Sequence, residues 1–198
     1  MKIIGLTGGS GSGKGVVGRF FSSLGCYVID TDALYHKMIS SDSACSRALI
    51  SHFGLEISNE NGGIDRSSLR DIVFSDSAAL ASLNKIAHSY IRSECEAIFA
   101  QQRDKGTYYV IVDAPQLFEA GMEDICDLVV GVTSDVDTRI KRIVERDGIS
   151  KEKAMERIAS QHDDAFFDQR CDHIIRNDAD AAHLLISVKR VFDIIKNN

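Results

Sequence analysis

Five glycines and a lysine crowd into Gly8-Gly9-Ser10-Gly11-Ser12-Gly13-Lys14-Gly15, directly after an apolar, β-branched run (Lys2 to Thr7) and before a stretch with helical spacing (Val16 to Leu24). Glycines permit backbone conformations in which successive N–H groups face inward at phosphate oxygens, and the following helix N-terminus adds partial positive charge. The G-x-x-x-x-G-K spacing from Gly8 sets Lys14 where its ammonium can meet β- and γ-phosphates. Gly9, Gly11, Ser12, Gly13, Lys14, Gly15 and Val16 are the expected nucleotide contacts, with ATP the expected ligand. Position 15 departs from the pattern: Ser or Thr there would offer Mg²⁺ a hydroxyl, and Gly15 offers none. Because Mg²⁺ keeps several waters and takes much of its coordination from the nucleotide, a water can fill that place.

Four more short apolar runs, Tyr27 to Asp30, Tyr108 to Asp113, Leu128 to Val132 and His173 to Arg176, have the length and β-branched content of buried parallel strands. Helical spacing between them predicts a single α/β unit over residues 1–198, with helices on both faces of a five-stranded parallel sheet and ligands at the carboxyl ends of its strands. The gap between the second and third runs exceeds one crossover helix. Its spacing is mainly helical (Ser43 to Phe53, Arg66 to Phe74, Ala78 to Arg103), predicting a helical insertion over residues 36–105 that binds the phosphoryl acceptor.

Acidic groups follow the same geometry. Asp30 and Asp32, read as the end of the second strand, share one side by the period of 2, so one can deprotonate an attacking hydroxyl while the other holds a metal-bound water. Either could instead cap the next helix. Asp113 closes the third strand, where an acid can act on the metal through water or serve structure alone. Asp30 and Asp113 are the expected metal-side residues. Arg139, Arg142 and Arg146 recur at i, i+3, i+7 on one helix face, followed by Arg157 and Gln161, read as i, i+4 on the next. Like charges so placed repel unless an anion lies among them, which predicts a lid over residues 138–165 that closes on ATP; a solvated charged face is the plainer reading.

Composition limits the partners. A net charge of −6 and a pI near 5.5 argue against nucleic-acid or anionic-membrane binding, so an anionic ligand needs locally gathered cations. Five dispersed cysteines without a C-x-x-C pair read as reduced, buried thiols. With no leader pattern and no apolar stretch of membrane-spanning length, the cytoplasm is the expected location, with a monomer or small homo-oligomer acting on a small molecule.

Taken together, the chain resembles the dephospho-coenzyme A kinase family from Met1 to about Ala179. The resemblance rests on the order of several pieces: the loop with Leu6-Thr7, Val28-Ile29-Asp30-x-Asp32, Ile64-Asp65-Arg66-x-x-Leu69-Arg70-x-Ile72-Val73-Phe74, His88 with Arg92, Asp113-x-Pro115-x-Leu117-Phe118-Glu119, Arg142 with Arg146-Asp147, Arg157-Ile158-x-x-Gln161, and Asp172-x-Ile174-Ile175-x-Asn177. It implies a three-layer P-loop kinase fold and transfer of the ATP γ-phosphoryl group to the ribose 3′-hydroxyl of dephospho-coenzyme A. Asp32 would be the general base, Lys14 the phosphate charge, Arg142 a catalytic and nucleotide contact with Arg146, and Arg66, Arg70, His88, Arg92 and Gln161 acceptor contacts. Ala87 and Ser89 depart from a Leu-His-Pro pattern around His88. Two other readings are open: a kinase for a different small metabolite or nucleotide, and a P-loop protein that binds ATP without transferring phosphate.

Overall fold

A computed structural model describes residues 1–197. Contacts divide the chain into two compact units, one formed by residues 1–29 with 102–198 and one by residues 30–101.

The first unit is built on five strands, β1 (Lys2–Thr7), β2 (Tyr27–Asp30), β3 (Tyr109–Asp113), β4 (Leu128–Thr133) and β5 (His173–Arg176), in the order β2-β3-β1-β4-β5. The five runs expected from the sequence are all strands, with ends shifted by at most one residue: Tyr108 is exposed and lies outside β3, while Thr133 extends β4. Parallel pairing sets Leu6 opposite Asp113 and Val130, which carries the first turn after β1 to the same sheet edge as the end of β3.

Side chains alternate between two faces. Ile4, Leu6, Ile111, Val130 and Val132 point into one core with Val17 and Phe21 of helix α1 (Lys14–Ser23) and the Leu184, Val188, Val191, Phe192 and Ile195 stripe of α9 (Ala181–Asn197). Phe192 meets Phe21 and Tyr109 edge-on at 5.9 and 5.0 Å, a favoured aromatic geometry. On the other face a side chain at Gly5 would meet Leu117, Cys126 and Val129, and one at Gly131 would meet Cys171 and Ile174, so a second layer packs closely there. Helix α8 (Asp164–Arg170) lies against β4 and β5. Between β4 and β5, α6 (Val136–Asp147) and α7 (Lys151–Ala159) bury Ile140, Ile143 and Ala154 in a small core of their own, and Gly148, left-handed at φ 63°, turns the chain between them.

The second unit is helical, as the sequence predicts: α2 (Thr31–Ile39), α3 (Ala44–Phe53), α4 (Arg66–Phe74) and most of α5 (Ser77–Asp104). Its core gathers Ile39, Cys45, Leu49, Ile57, Ile64 and Leu69. Ser89, standing where Pro would interrupt an N–H ladder, lets α5 run through 28 residues, with its Oγ donating to the Ile86 carbonyl at 2.8 Å. All five cysteines are free thiols, and Cys26, Cys45 and Cys95 are buried. Burial pushes the thiols of Cys26 and Cys95 up to about 12 and that of Cys45 to about 11, so they are fillers and not nucleophiles. Among the described residues no helix is long and apolar enough to cross a membrane.

Candidate active site

The turn from β1 into α1 is the centre of the site. Asp or Ser side chains accept N–H groups at the start of the other α-helices: Asp30, Ser43, Asp65, Asp76, Asp135, Ser150, Asp163 and Asp180. Helix α1 starts after Gly13, left-handed at φ 92°, with no side-chain cap and no acid in its first turn. Its end therefore keeps open donors and an uncancelled partial positive charge, which suits an anion.

Three loop carbonyls are bound from outside. Arg139 Nε donates to the Ser10 carbonyl at 2.9 Å, Arg142 Nη1 donates to those of Gly11 and Ser12 at 3.3 and 3.4 Å, and Asn177 Nδ2 donates to Ser12 at 2.7 Å. All peptides among the described residues are trans, so the amide following each carbonyl points the opposite way. The N–H groups of Gly11 and Gly13 are thereby turned away from the arginines, and that of Ser12 closes the turn onto the Gly9 carbonyl at 3.1 Å. Only glycine suits these places: Gly11 and Gly13 have φ of 79° and 92°, and a Cβ at Gly13 would stand 2.0 Å from Asn177 Nδ2.

Lys14 ion-pairs with Asp113, which is 8% exposed at the end of β3. Asp113 thus holds the ammonium beside the loop. Asp30 and Asp32 fall differently from the strand reading. Strand β2 stops at Asp30, whose Oδ1 accepts the Ala33 N–H at 3.0 Å as the cap of α2, and Asp32 sits in that helix's first turn, so a period of 2 does not relate them. The Asp32 side chain is exposed. It is available to a hydroxyl.

Each of the three arginines of the α6 face has a partner within the chain. Arg139 is 3% exposed, with Asp164 at 3.7 Å from Nη1; burial lowers its pKa and Asp164 opposes this. Arg142 also donates to Ser134 Oγ at 3.2 Å and to the Asn177 carbonyl at 3.0 Å. Arg146 forks onto Asp147 at 2.7 and 2.9 Å, and Arg157 pairs with the same carboxylate, which these hydrogen bonds keep well below the usual carboxylate range. Gln161 lies beyond the end of α7, off the helix of Arg157, and binds Ser10: its Oε1 accepts the Ser10 N–H at 2.8 Å and its Nε2 donates to Ser10 Oγ at 3.3 Å. Sequence spacing missed the contacts of Arg139, Asn177 and Gln161 to the loop, because no local pattern encodes a carbonyl more than a hundred residues away.

In the second unit, Arg66 and Arg70 line one open cavity of about 390 Å³ with Tyr35, Ile39, Ser67, Leu69, Val73 and Leu83. The Tyr35 hydroxyl is pushed up to about 12, first by burial and next by Cys45, with Arg66 opposing. His88 and Arg92 stand one turn apart on α5, outside that lining, and Arg92 Nε pairs with Glu96 at 3.3 Å.

A parallel sheet in this order, with a Lys-bearing glycine loop between β1 and an uncapped helix, defines a P-loop kinase fold. At the level of fold alone, the shikimate kinase of Bacteroides thetaiotaomicron superposes with a TM-score of 0.60 at 16% identity over 98% of both chains. A family model described as dephospho-CoA kinase matches residues 2–183, and the chain belongs to that family. The dephospho-CoA kinase of Fusobacterium nucleatum is 36% identical over 98% of each chain. The solved dephospho-CoA kinase from Campylobacter jejuni superposes with a TM-score of 0.72 at 26% identity, covering 98% of both chains.

Proposed function

We propose that this chain transfers the γ-phosphoryl group of ATP to the ribose 3′-hydroxyl of dephospho-coenzyme A, giving ADP and coenzyme A, the last step of coenzyme A biosynthesis. The observation that carries the chemistry is the loop, with its carbonyls tied back and Lys14 seated on Asp113 beside it. Phosphoryl transfer asks mainly for positioning and charge stabilisation. Gly9 to Val16, the start of α1 and Lys14 gather N–H dipoles and one full charge around the nucleotide phosphates. Asp32 takes the proton of the attacking hydroxyl. Arg142 lends its charge through the loop backbone. Arg146 remains at the surface with Asp147 to meet the nucleotide if residues 138–165 act as a lid.

Residues 36–105 serve the acceptor. The cavity sets two cations, Arg66 and Arg70, beside Leu69, Val73 and Leu83, a combination suited to a molecule with phosphates at one place and an apolar arm at another. His88, Arg92 and Gln161 complete the proposed set, Gln161 by way of Ser10. The enzyme works in the cytoplasm as a monomer or small homo-oligomer. Turnover of dephospho-coenzyme A against a panel of nucleosides, nucleotides and small alcohols tests the acceptor: it should be the best substrate, and faster turnover of a nucleoside or nucleotide would overturn the assignment.

Mg²⁺ fits here as a nucleotide-held ion. Among the described residues no three acids, histidines or cysteines cluster to cage a metal, and beyond its chain neighbours and the backbone of its own helix a Cβ at Gly15 would come no nearer to another group than 4.0 Å, from Arg19 Nη1. The ion would be held by phosphates and water, with Asp113 and Asp30 as the acids on its protein side, and would neutralise charge on the phosphoryl oxygens. Gly15 also favours the alternative of ATP binding without transfer. One variant separates the two. Gly15 is exposed in the first turn of α1, where Ser is sterically free, so Gly15→Ser should raise activity at limiting Mg²⁺ by about 10- to 150-fold, the scale of a charged hydrogen bond. A Mg²⁺ titration in which the two proteins coincide would show that the metal does not use this place.

A further inference from the structure

Ser10, at the tip of the phosphate loop, is held on three sides by side chains from elsewhere in the chain. Its carbonyl accepts from Arg139 Nε, its N–H is bound by Gln161 Oε1, and its Oγ accepts from Gln161 Nε2. Arg139 is locked in turn, with Nη1 near Asp164 at 3.7 Å and Nη2 buried against Gly9 with no hydrogen-bond partner. The fit at Gly9 is tight: a Cβ there would stand 2.3 Å from Nη2 and 3.4 Å from Gln161 Oε1. A buried guanidinium with an unused donor is a poor way to stabilise a fold, since desolvating a charge and leaving a donor unpaired are both unfavourable. Its position suits another task. Bonding the Ser10 carbonyl outward fixes the peptide that turns the Gly11 N–H inward, and Gln161 fixes the peptide before it through the Ser10 N–H.

We propose that Arg139 and Gln161 are positioning residues that clamp Ser10 and hold the phosphate loop in its ligand-binding shape before the nucleotide arrives. The clamp acts on the nucleotide's phosphates. This rests on the nucleotide reading above but on no particular acceptor.

The test is ATP affinity, read by calorimetry without acceptor, beside the steady-state constants. Arg139→Gln should weaken ATP binding and raise its KM about tenfold, the lower end for losing a charged hydrogen bond, with the KM of dephospho-coenzyme A unchanged. Gln161 is exposed, so Gln161→Ala should fold as the parent does and still weaken ATP several-fold. A cycle with Gly9 isolates the clamp: Gly9→Ala pushes the guanidinium off and should weaken ATP in the parent, yet add little once Arg139 is Gln. Parent-like ATP affinity in both the Arg139→Gln and Gln161→Ala proteins, or additive losses in the cycle, would overturn the clamp alone. A parent that binds no ATP would overturn the nucleotide reading together with it.

Discussion

Replacing Asp32 with Asn lowers kcat by about 10² to 10⁴, the contribution of a positioned general base. The amide is nearly isosteric but takes up no proton. Folding should be unaffected, because Asp32 is exposed; its carboxylate adds only a few tenths of a kcal/mol at the start of α2 through the helix dipole. ATP affinity should also stay at the parent value, because the amide keeps the shape of the side chain and loses only the capacity to take up a proton. Rapid-quench measurement of the transfer step reads the effect directly. Turnover within about threefold of the parent would remove Asp32 from the chemistry.

Lys14→Ala should act on binding and chemistry together. The ammonium meets oxygens whose charge shifts during transfer, so the loss should be about 10- to 150-fold in ATP affinity and about 10² to 10³ in kcat. The structure adds a second consequence. Asp113 is 8% exposed and would lose its cation, which should cost the unliganded protein about 1–3 kcal/mol, well above the value of a surface pair. The double replacement Lys14→Met with Asp113→Leu should recover part of that stability and none of the activity, since the carboxylate goes together with its cation. A Lys14→Ala protein protected by ATP in thermal melts as strongly as the parent would contradict the phosphate-loop assignment.

Much of this architecture is legible before any coordinates. Strands β1, β3 and β4 announce themselves because strands inside a covered parallel sheet are apolar nearly throughout, and the loop announces itself because its glycines and Lys14 crowd into eight residues. Local patterns do not mark their own ends. The Val28-Ile29 alternation does not continue through Asp32: Asp30, three residues before the Ala33 amide it caps, carries the signature of a helix start. The helical spacing of α7 does not reach Gln161, which lies past Ser160, the residue that ends the helix. The arginines of α6 are legible as a cluster, but the loop carbonyls that Arg139 and Arg142 bind are not. Whether a row of cations awaits a phosphate or already holds a carbonyl depends on which strands are neighbours, and only the β1–β4–β5 order brings Asn177 and α6 to the loop.

The reaction makes one bond, from ATP's γ-phosphorus to the 3′-oxygen of the adenosine ribose in dephospho-coenzyme A. Incubating the protein with both substrates and following ADP release alongside the ³¹P spectrum of the product measures it. The prediction is one ADP per acceptor consumed and a single new phosphomonoester on the 3′ position, both abolished in Lys14→Ala. ADP released without a new phosphomonoester, or a phosphate on any other oxygen of the acceptor, would contradict it.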